Sequence, residues 1–159
     1  MLTKEQEESV IDLCRKLIQA QSYSGQEKKV SDILSDYFKA NKFDDVIIDK
    51  YGNTIGVLKG KRPGKKILFD GHMDTVPVQN EAEWTHDPFA AEISDGKIYG
   101  RGTTDMKGAL AAMANAAVLF KEAENRDFAG EIYVAGVVHE ECFEGVAARN
   151  ISEIVKPDY

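Results

Sequence analysis

Apolar positions over the first forty residues repeat with the period of a helix. Val10, Ile11, Cys14, Leu17 and Ile18 fall at i, i+1, i+4, i+7 and i+8, which is one helical face over residues 3–20. Thr3 with Gln6 makes a capping-box pattern at its start. Ser24-Gly25 breaks the period, and a second helix follows with Val30, Ile33, Leu34, Tyr37 and Phe38 on its apolar face. Both helices read as scaffold.

The period then shortens. Val46-Ile47-Ile48 and Thr54-Ile55-Gly56-Val57-Leu58 flank Gly52-Asn53 and predict a hairpin. Residues 60–64 are a basic turn containing Pro and Gly. The apolar run Lys66-Ile67-Leu68-Phe69 leads into Asp70-Gly71-His72 and predicts a strand buried on both faces. Residues 78–95 read as a long loop, 97–99 as a short strand, and Gly100-Arg101-Gly102 as a tight turn. An Ala-rich helix is expected over 109–122 and a second buried strand over 132–138, ending at His139-Glu140-Glu141. A last helix over 145–155 carries Val146, Ala147, Ile151, Ile154 and Val155, and Pro157 closes it. Helices and buried strands interleave. The pattern predicts an α/β fold with a mixed, largely parallel sheet flanked by helices. A further buried strand is expected after Pro157, so the fold reads as truncated at Tyr159.

Composition narrows the partners. With 20 basic and 27 acidic residues and a net charge of -7, the chain has no basic surface for nucleic acid or an anionic membrane. It has no basic start followed by an apolar core, and no apolar run near the ~20 residues that span a bilayer. A cytoplasmic location is expected. Two cysteines make no disulfide framework: Cys14 reads as a small buried residue, and Cys142 as structural.

Chemistry gathers where strands end, as open α/β sheets require. One strand ends in His72-Met73-Asp74, the other in Glu140-Glu141, and Asp105 follows a Gly-rich turn between them. Residues 72 and 105 are 33 apart, and 105 and 140 are 35 apart. Each interval suits one supersecondary unit of ~30 residues, so successive units bring all three to one sheet edge. Side chains two apart on a strand point the same way, so Asp74 can hydrogen-bond or polarise the His72 imidazole and strengthen it as a metal ligand. The spacing around Gly100–Gly108 does not fit a phosphate-binding loop, and an aspartate there suits a cation, which its two oxygens can bridge. Two adjacent acids beside a buried strand need positive charge nearby. Taken singly, each feature has a plainer alternative: a histidine held by a turn aspartate, an aspartate capping a helix, a solvated strand end. His86 reads as a surface histidine, and His139 as facing away from Glu140.

Three stretches resemble the M20 metallopeptidase family, which includes aminoacylases, carboxypeptidases, acetylornithine deacetylases and succinyl-diaminopimelate desuccinylases. They are FDGHMDTVPV (69–78), WTHDPFAAEISDGKIYGRGTTDMKG (84–108) and VVHEEC (137–142). The resemblance implies a zinc-exopeptidase-like catalytic domain with two metals, usually zinc, for which cobalt or manganese can substitute. It implies His72 and Glu141 as ligands of different metals and Asp105 as the bridge. Glu140 is then the general base and later the proton donor to the leaving amine, and Asp74 orients His72. A cis peptide after Asp105 is also implied. The substrate class is a small N-acyl amino acid or short peptide, hydrolysed at its amide bond. The family supplies a further carboxylate ligand and a C-terminal histidine ligand beyond Tyr159, and a lid or dimerisation domain. Residues 1–159 are therefore expected to be the N-terminal part of the catalytic domain and inactive alone. The alternative is a non-catalytic fragment that keeps the fold and associates, as a homo-oligomer, through an exposed sheet edge.

Overall fold

A computed structural model describes residues 2–143 and 145–159. The first amphipathic stretch forms helix α1 (Lys4–Gln19). Thr3 makes both halves of the capping box: its hydroxyl accepts from the Gln6 N–H at 3.3 Å, and its own N–H donates to Gln6 Oε1 at 2.9 Å. The buried stripe runs through Leu13, Cys14, Leu17 and Ile18. Ile11, expected on that face, lies outside the stripe and is 38% exposed. Helix α2 (Lys28–Ala40) buries Val30, Leu34 and Phe38 fully, with Ile33 and Tyr37 packed at the border.

The expected hairpin is present as β1 (Asp45–Ile48) and β2 (Thr54–Lys59), paired antiparallel. The chain turns at Gly60 and Lys61. Pro63 and Gly64, expected in that turn, already belong to β3 (Arg62–His72), whose register shifts between Arg62 and Lys66. Such an irregularity accommodates a proline in a strand. The expected loop 78–95 carries a 3₁₀ turn, Glu81–Glu83, and strand β4 (Glu92–Ser94), which pairs with β5 (Lys97–Tyr99). Then come α3 (Gly108–Ala123), β6 (Ala129–Val137), the short α4 (Glu140–Phe143) and α5 (Val146–Val155). In α5, Ala147, Ile151 and Val155 are buried. Val146 and Ile154, expected inside, are 54% and 44% exposed.

The main sheet has the order β1-β2-β6-β3 and is mixed, as the alternation of elements implied. Its parallel share is smaller than expected: β3 pairs parallel with β6, whereas β2 pairs antiparallel with both β1 and β6. On one face, Gly56 and Gly136 admit the side chains of α2, and Gly71 lies against Met113 of α3. On the other face α5 packs on β6 and β3, and Lys66 donates from Nζ to the Val155 carbonyl. Helix α1 closes the core by packing on α2 and α3.

Strand β3 is not buried on both faces. It is the last strand in the order of the sheet, and Ile67 and Phe69 are 37% and 47% exposed. With Met113, Phe120 and Ile132 they line an open apolar hollow of about 350 Å³. After α5 the chain returns to this strand. The Asp158 N–H donates to the Lys66 carbonyl at 2.8 Å, and the Leu68 N–H to the Tyr159 carbonyl at 2.9 Å. Among the described residues no helix is long and apolar enough to cross a membrane.

Lys107 is fully buried, and its ammonium donates to the carbonyl of Ala20, the C-cap of α1, at 2.8 Å. A cation there satisfies a terminal carbonyl and meets the negative end of the helix dipole. Burial nevertheless pulls its pKa from 10.5 to about 8, against the raising effect of the Asp74 charge.

Two expectations follow for stability. A Cβ added at Gly56 would stand 2.7 Å from the Phe38 ring. Gly56→Ala is therefore expected to cost about 1–3 kcal/mol by overpacking, read by urea unfolding. For Lys107 the folded pKa lies below the unfolded one, so the unfolded chain binds more protons between about pH 8 and 10.5. Stability should rise with pH through that window, and Lys107→Met should flatten the rise in the same titration.

Candidate metal centre

Parallel pairing puts the carboxyl ends of β3 and β6 side by side, with His72 in register with Val137. The Met73 N–H extends the pairing by one bond, to the Val137 carbonyl at 2.7 Å. The segment before α2 then holds the chain as it leaves the sheet. Ser22 Oγ–H donates to the Met73 carbonyl at 2.7 Å, and the Thr75 N–H to the Ser22 carbonyl at 2.9 Å.

His72 is 5% exposed. Its Nδ1 lies 2.8 Å from the Asp74 carbonyl, which can only accept, so Nδ1 carries the proton and the neutral ring offers the Nε2 lone pair. That lone pair faces Asp105 Oδ1 at 2.9 Å and Glu140 Oε2 at 3.9 Å. Ligand atoms of His72, Asp105 and Glu141 all lie within 4.8 Å of one another. Every one of these atoms is an acceptor when the ring is neutral and the acids are ionised. A cation or a proton among them would offset their mutual repulsion. Burial pulls the His72 pKa down, but the hydrogen bonds to Asp74 and Asp105 outweigh it and raise the ring from 6.5 to about 9. An imidazole with two carboxylates is a donor set that suits zinc or a similar divalent ion.

Asp74 does more than the alternation of side chains suggested. Its backbone carbonyl takes the His72 proton, while its carboxylate stands 3.5 Å from Nδ1. That carboxylate is fully buried. It accepts from Ser24 Oγ–H at 2.7 Å and from the backbone N–H groups of Glu140 and Glu141 at 3.2 Å each. Burial alone would raise its pKa. The bonds from His72, Ser24, Glu141 and Glu140 instead hold it down at about 2.

The acid pair is not a strand end. Strand β6 stops at Val137, His139 turns the backbone at φ 60°, and Glu140 opens α4. Successive helical residues diverge by roughly 100°, which separates the two carboxylates. His139 therefore lies outside the cluster for a reason other than strand alternation. Its ring sits against Glu27 Oε1 at 3.8 Å and beside Phe143.

Asp105 arrives on a wide turn, Thr103–Lys107, closed by bonds from the Lys107 N–H to the Gly102 carbonyl and from the Gly108 N–H to the Thr103 carbonyl. Gly102 has φ 79°, and a Cβ there would stand 2.7 Å from Thr75 Cγ2. Glycine thus lets the turn press against the end of β3. Asp105 itself is extended, with φ -125° and ψ 100°, its side chain is 76% exposed, and the peptide bond to Met106 is cis. It caps no helix; its Oδ1 is taken by His72.

His86 is less of a surface histidine than expected. Its Nδ1 lies 3.0 Å from Glu92 Oε2, and it stacks on Tyr99 at 3.9 Å between ring centroids. Cys14 is buried and Cys142 is exposed, and neither is bonded to another cysteine. Reading the sequence missed Ser24, Glu27 and Asn53, polar residues that bond to Asp74 or to the turn before the acid pair. The signals were Ser24-Gly25, taken as a helix break, and Gly52-Asn53, taken as a hairpin turn.

The sequence model of peptidase family M20/M25/M40 matches residues 68–159. Succinyl-diaminopimelate desuccinylase 2 of Ruegeria sp. (strain TM1040) is 38% identical over 112 residues, covering 69% of this chain and 28% of that protein. The metallo-carboxypeptidase Sso-CP2 of Sulfolobus solfataricus superposes with a TM-score of 0.76 at 21% identity, over 98% of this chain and 36% of its own. A dinuclear metal-binding peptidase of Bacillus subtilis gives a TM-score of 0.70 at 20% identity, over 96% and 40%. The chain thus spans less than half the length of each of these three proteins. With the matched segment covering more than half of its residues, the chain belongs to peptidase family M20/M25/M40.

Proposed function

We propose that residues 1–159 form the N-terminal part of a metal-dependent catalytic domain that hydrolyses an amide or peptide bond in a small N-acyl amino acid or short peptide. The observation that carries this reading is the convergence of acceptors from His72, Asp105 and Glu141 within 4.8 Å. The name of the desuccinylase relative favours an N-acyl amino acid over a free peptide. His72, Asp105 and Glu141 would hold two zinc ions; cobalt or manganese would serve as substitutes. Bound there, the ions would supply the positive charge that polarises an amide carbonyl and acidifies a water.

The remaining work falls to the chain's own groups. The Glu140 side chain is about half exposed, with Oε2 3.9 Å from His72 Nε2, so it reaches the cluster from the solvent side. It takes the proton of the attacking water and returns it to the departing nitrogen. Asp74 fixes the ring of His72 through its carbonyl and the backbone of the acid pair through its carboxylate. A second reading, association of the fold with a second copy of itself, draws support from the open apolar hollow beside Ile67 and Phe69. Turnover measured beside the size in solution separates the two.

In a protein carrying this chain within a complete catalytic domain, Glu140→Gln should lower kcat by roughly 10²–10⁴-fold and leave zinc stoichiometry unchanged. Joint loss of turnover and metal would contradict the division of labour. If two ions share Asp105, His72 and Glu141 leave each with two protein ligands among the described residues, where a catalytic zinc usually has three. The 159-residue chain should therefore bind zinc weakly in a calorimetric titration. It should release no product from a panel of N-acyl amino acids and dipeptides. Tight stoichiometric zinc with turnover would overturn that.

A further inference from the structure

Four consecutive backbone N–H groups pass through the turn between β6 and α4, and a side-chain oxygen takes each one. The Val138 N–H donates to Asn53 Oδ1 at 2.9 Å, and the His139 N–H to Glu27 Oε1 at 3.0 Å. Those of Glu140 and Glu141 go to the two oxygens of Asp74. The acceptors come from three separate places: the turn between β1 and β2, the N-cap of α2, and the end of β3. All are buried, Asn53 and Asp74 fully and Glu27 to 5% exposure.

Each acceptor is itself held. Asn53 Nδ2 donates to Asp49 Oδ2 at 2.7 Å and to the Ala147 carbonyl at 2.9 Å. Glu27 Oε1 also accepts the Gly25 N–H at 2.9 Å. Ser24, beside Gly25, bonds to Asp74. The segment before α2 and the β1–β2 turn therefore form a collar around one short piece of backbone.

That piece has an awkward task. It must carry two adjacent carboxylates towards a site that already holds Asp105, and it does so through a non-glycine residue, His139, at positive φ. Like charges so close push apart, and a turn hydrated by water would let the side chains swing away from His72. Fixed acceptors on successive N–H groups set the direction of the Cα–Cβ bonds that follow.

We infer that Glu27 and Asn53 are positioning residues that aim Glu140 and Glu141 by holding the backbone N–H groups immediately before them. The inference rests on the proposed roles of that pair. Neither residue touches the cluster of His72, Asp105 and Glu141; they act through the turn.

The test uses the 159-residue chain, with zinc as the probe, and reads amide hydrogen exchange, zinc affinity and melting temperature. Glu27→Ala removes the acceptor. It should speed exchange at His139 and weaken zinc binding about ten-fold or more. Glu27→Gln keeps an oxygen in place and should restore both. Glu27→Asp keeps the charge but withdraws the oxygen, and should behave like Glu27→Ala if the latter fails to fold. Leu58→Ala, in the core away from the turn, supplies a control for loss of stability alone and should leave zinc affinity near that of the unaltered chain. Unchanged exchange and affinity in both Glu27→Ala and Glu27→Asp would overturn the inference. So would an equal loss of zinc in Leu58→Ala. Should the unaltered chain, with its incomplete ligand set, bind zinc too weakly to measure, exchange at His139 decides the positioning role by itself, and the metal reading is tested separately in the complete catalytic domain.

Discussion

The buried carboxylate of Asp74 is the constraint on which the site depends. An ionised group taken wholly out of water costs several kcal/mol unless donors replace its hydration. Here the replacements are Ser24 Oγ–H and the N–H groups of Glu140 and Glu141. The charge is therefore affordable only while three stretches of chain stay together: the segment before α2, the end of β3 and the turn after β6. The same residue fixes His72 through its own carbonyl. Geometry at the cluster and satisfaction of a buried charge are thus one requirement.

Parallel pairing makes that requirement possible. If β3 ran antiparallel to β6, His72 and the acid pair would leave opposite ends of the sheet. With His72 opposite Val137, both exits lie on one edge, and one residue beyond β3 can reach the first N–H groups of α4. Asp105 is brought to the same edge by a turn that presses on Thr75 because Gly102 has no side chain. The wide hydrogen bonding of that turn leaves Asp105 extended, so its carboxylate projects to the ring of His72 instead of capping α3.

Much of this was legible in the sequence, for identifiable reasons. Long amphipathic helices declare themselves by period, and Thr3 with Gln6 marks a start that the structure reproduces atom for atom. The residues of the cluster stood out because His72, Asp105 and the acid pair follow strands or a Gly-rich turn at comparable intervals. Burial was harder to read. Ile67-Leu68-Phe69 looks like a strand between two others, but a run of apolar residues does not reveal its place in the order of a sheet. Glu140 was expected at a strand end because nothing in the sequence marks the left-handed turn at His139. Asn53 looked like hairpin punctuation, and nothing in the sequence singled out Glu27. Their importance lies in partners 85 and 112 residues away, which local pattern cannot supply.

The burial of these groups argues that the polar collar is more than a by-product of folding. A fold could satisfy the N–H groups of an exposed turn with water at little cost, as most loops do. This chain instead buries Asn53, Glu27 and Asp74 beneath one turn, and accepts the desolvation of two carboxylates to do so. Buried ionic groups add little net stability compared with apolar packing of the same volume. What they add here is direction. Glu140 is about half exposed and Glu141 partly so, while the backbone beneath them is fixed from three sides. Open carboxylates on a rigid base suit groups that must meet a cation and a substrate.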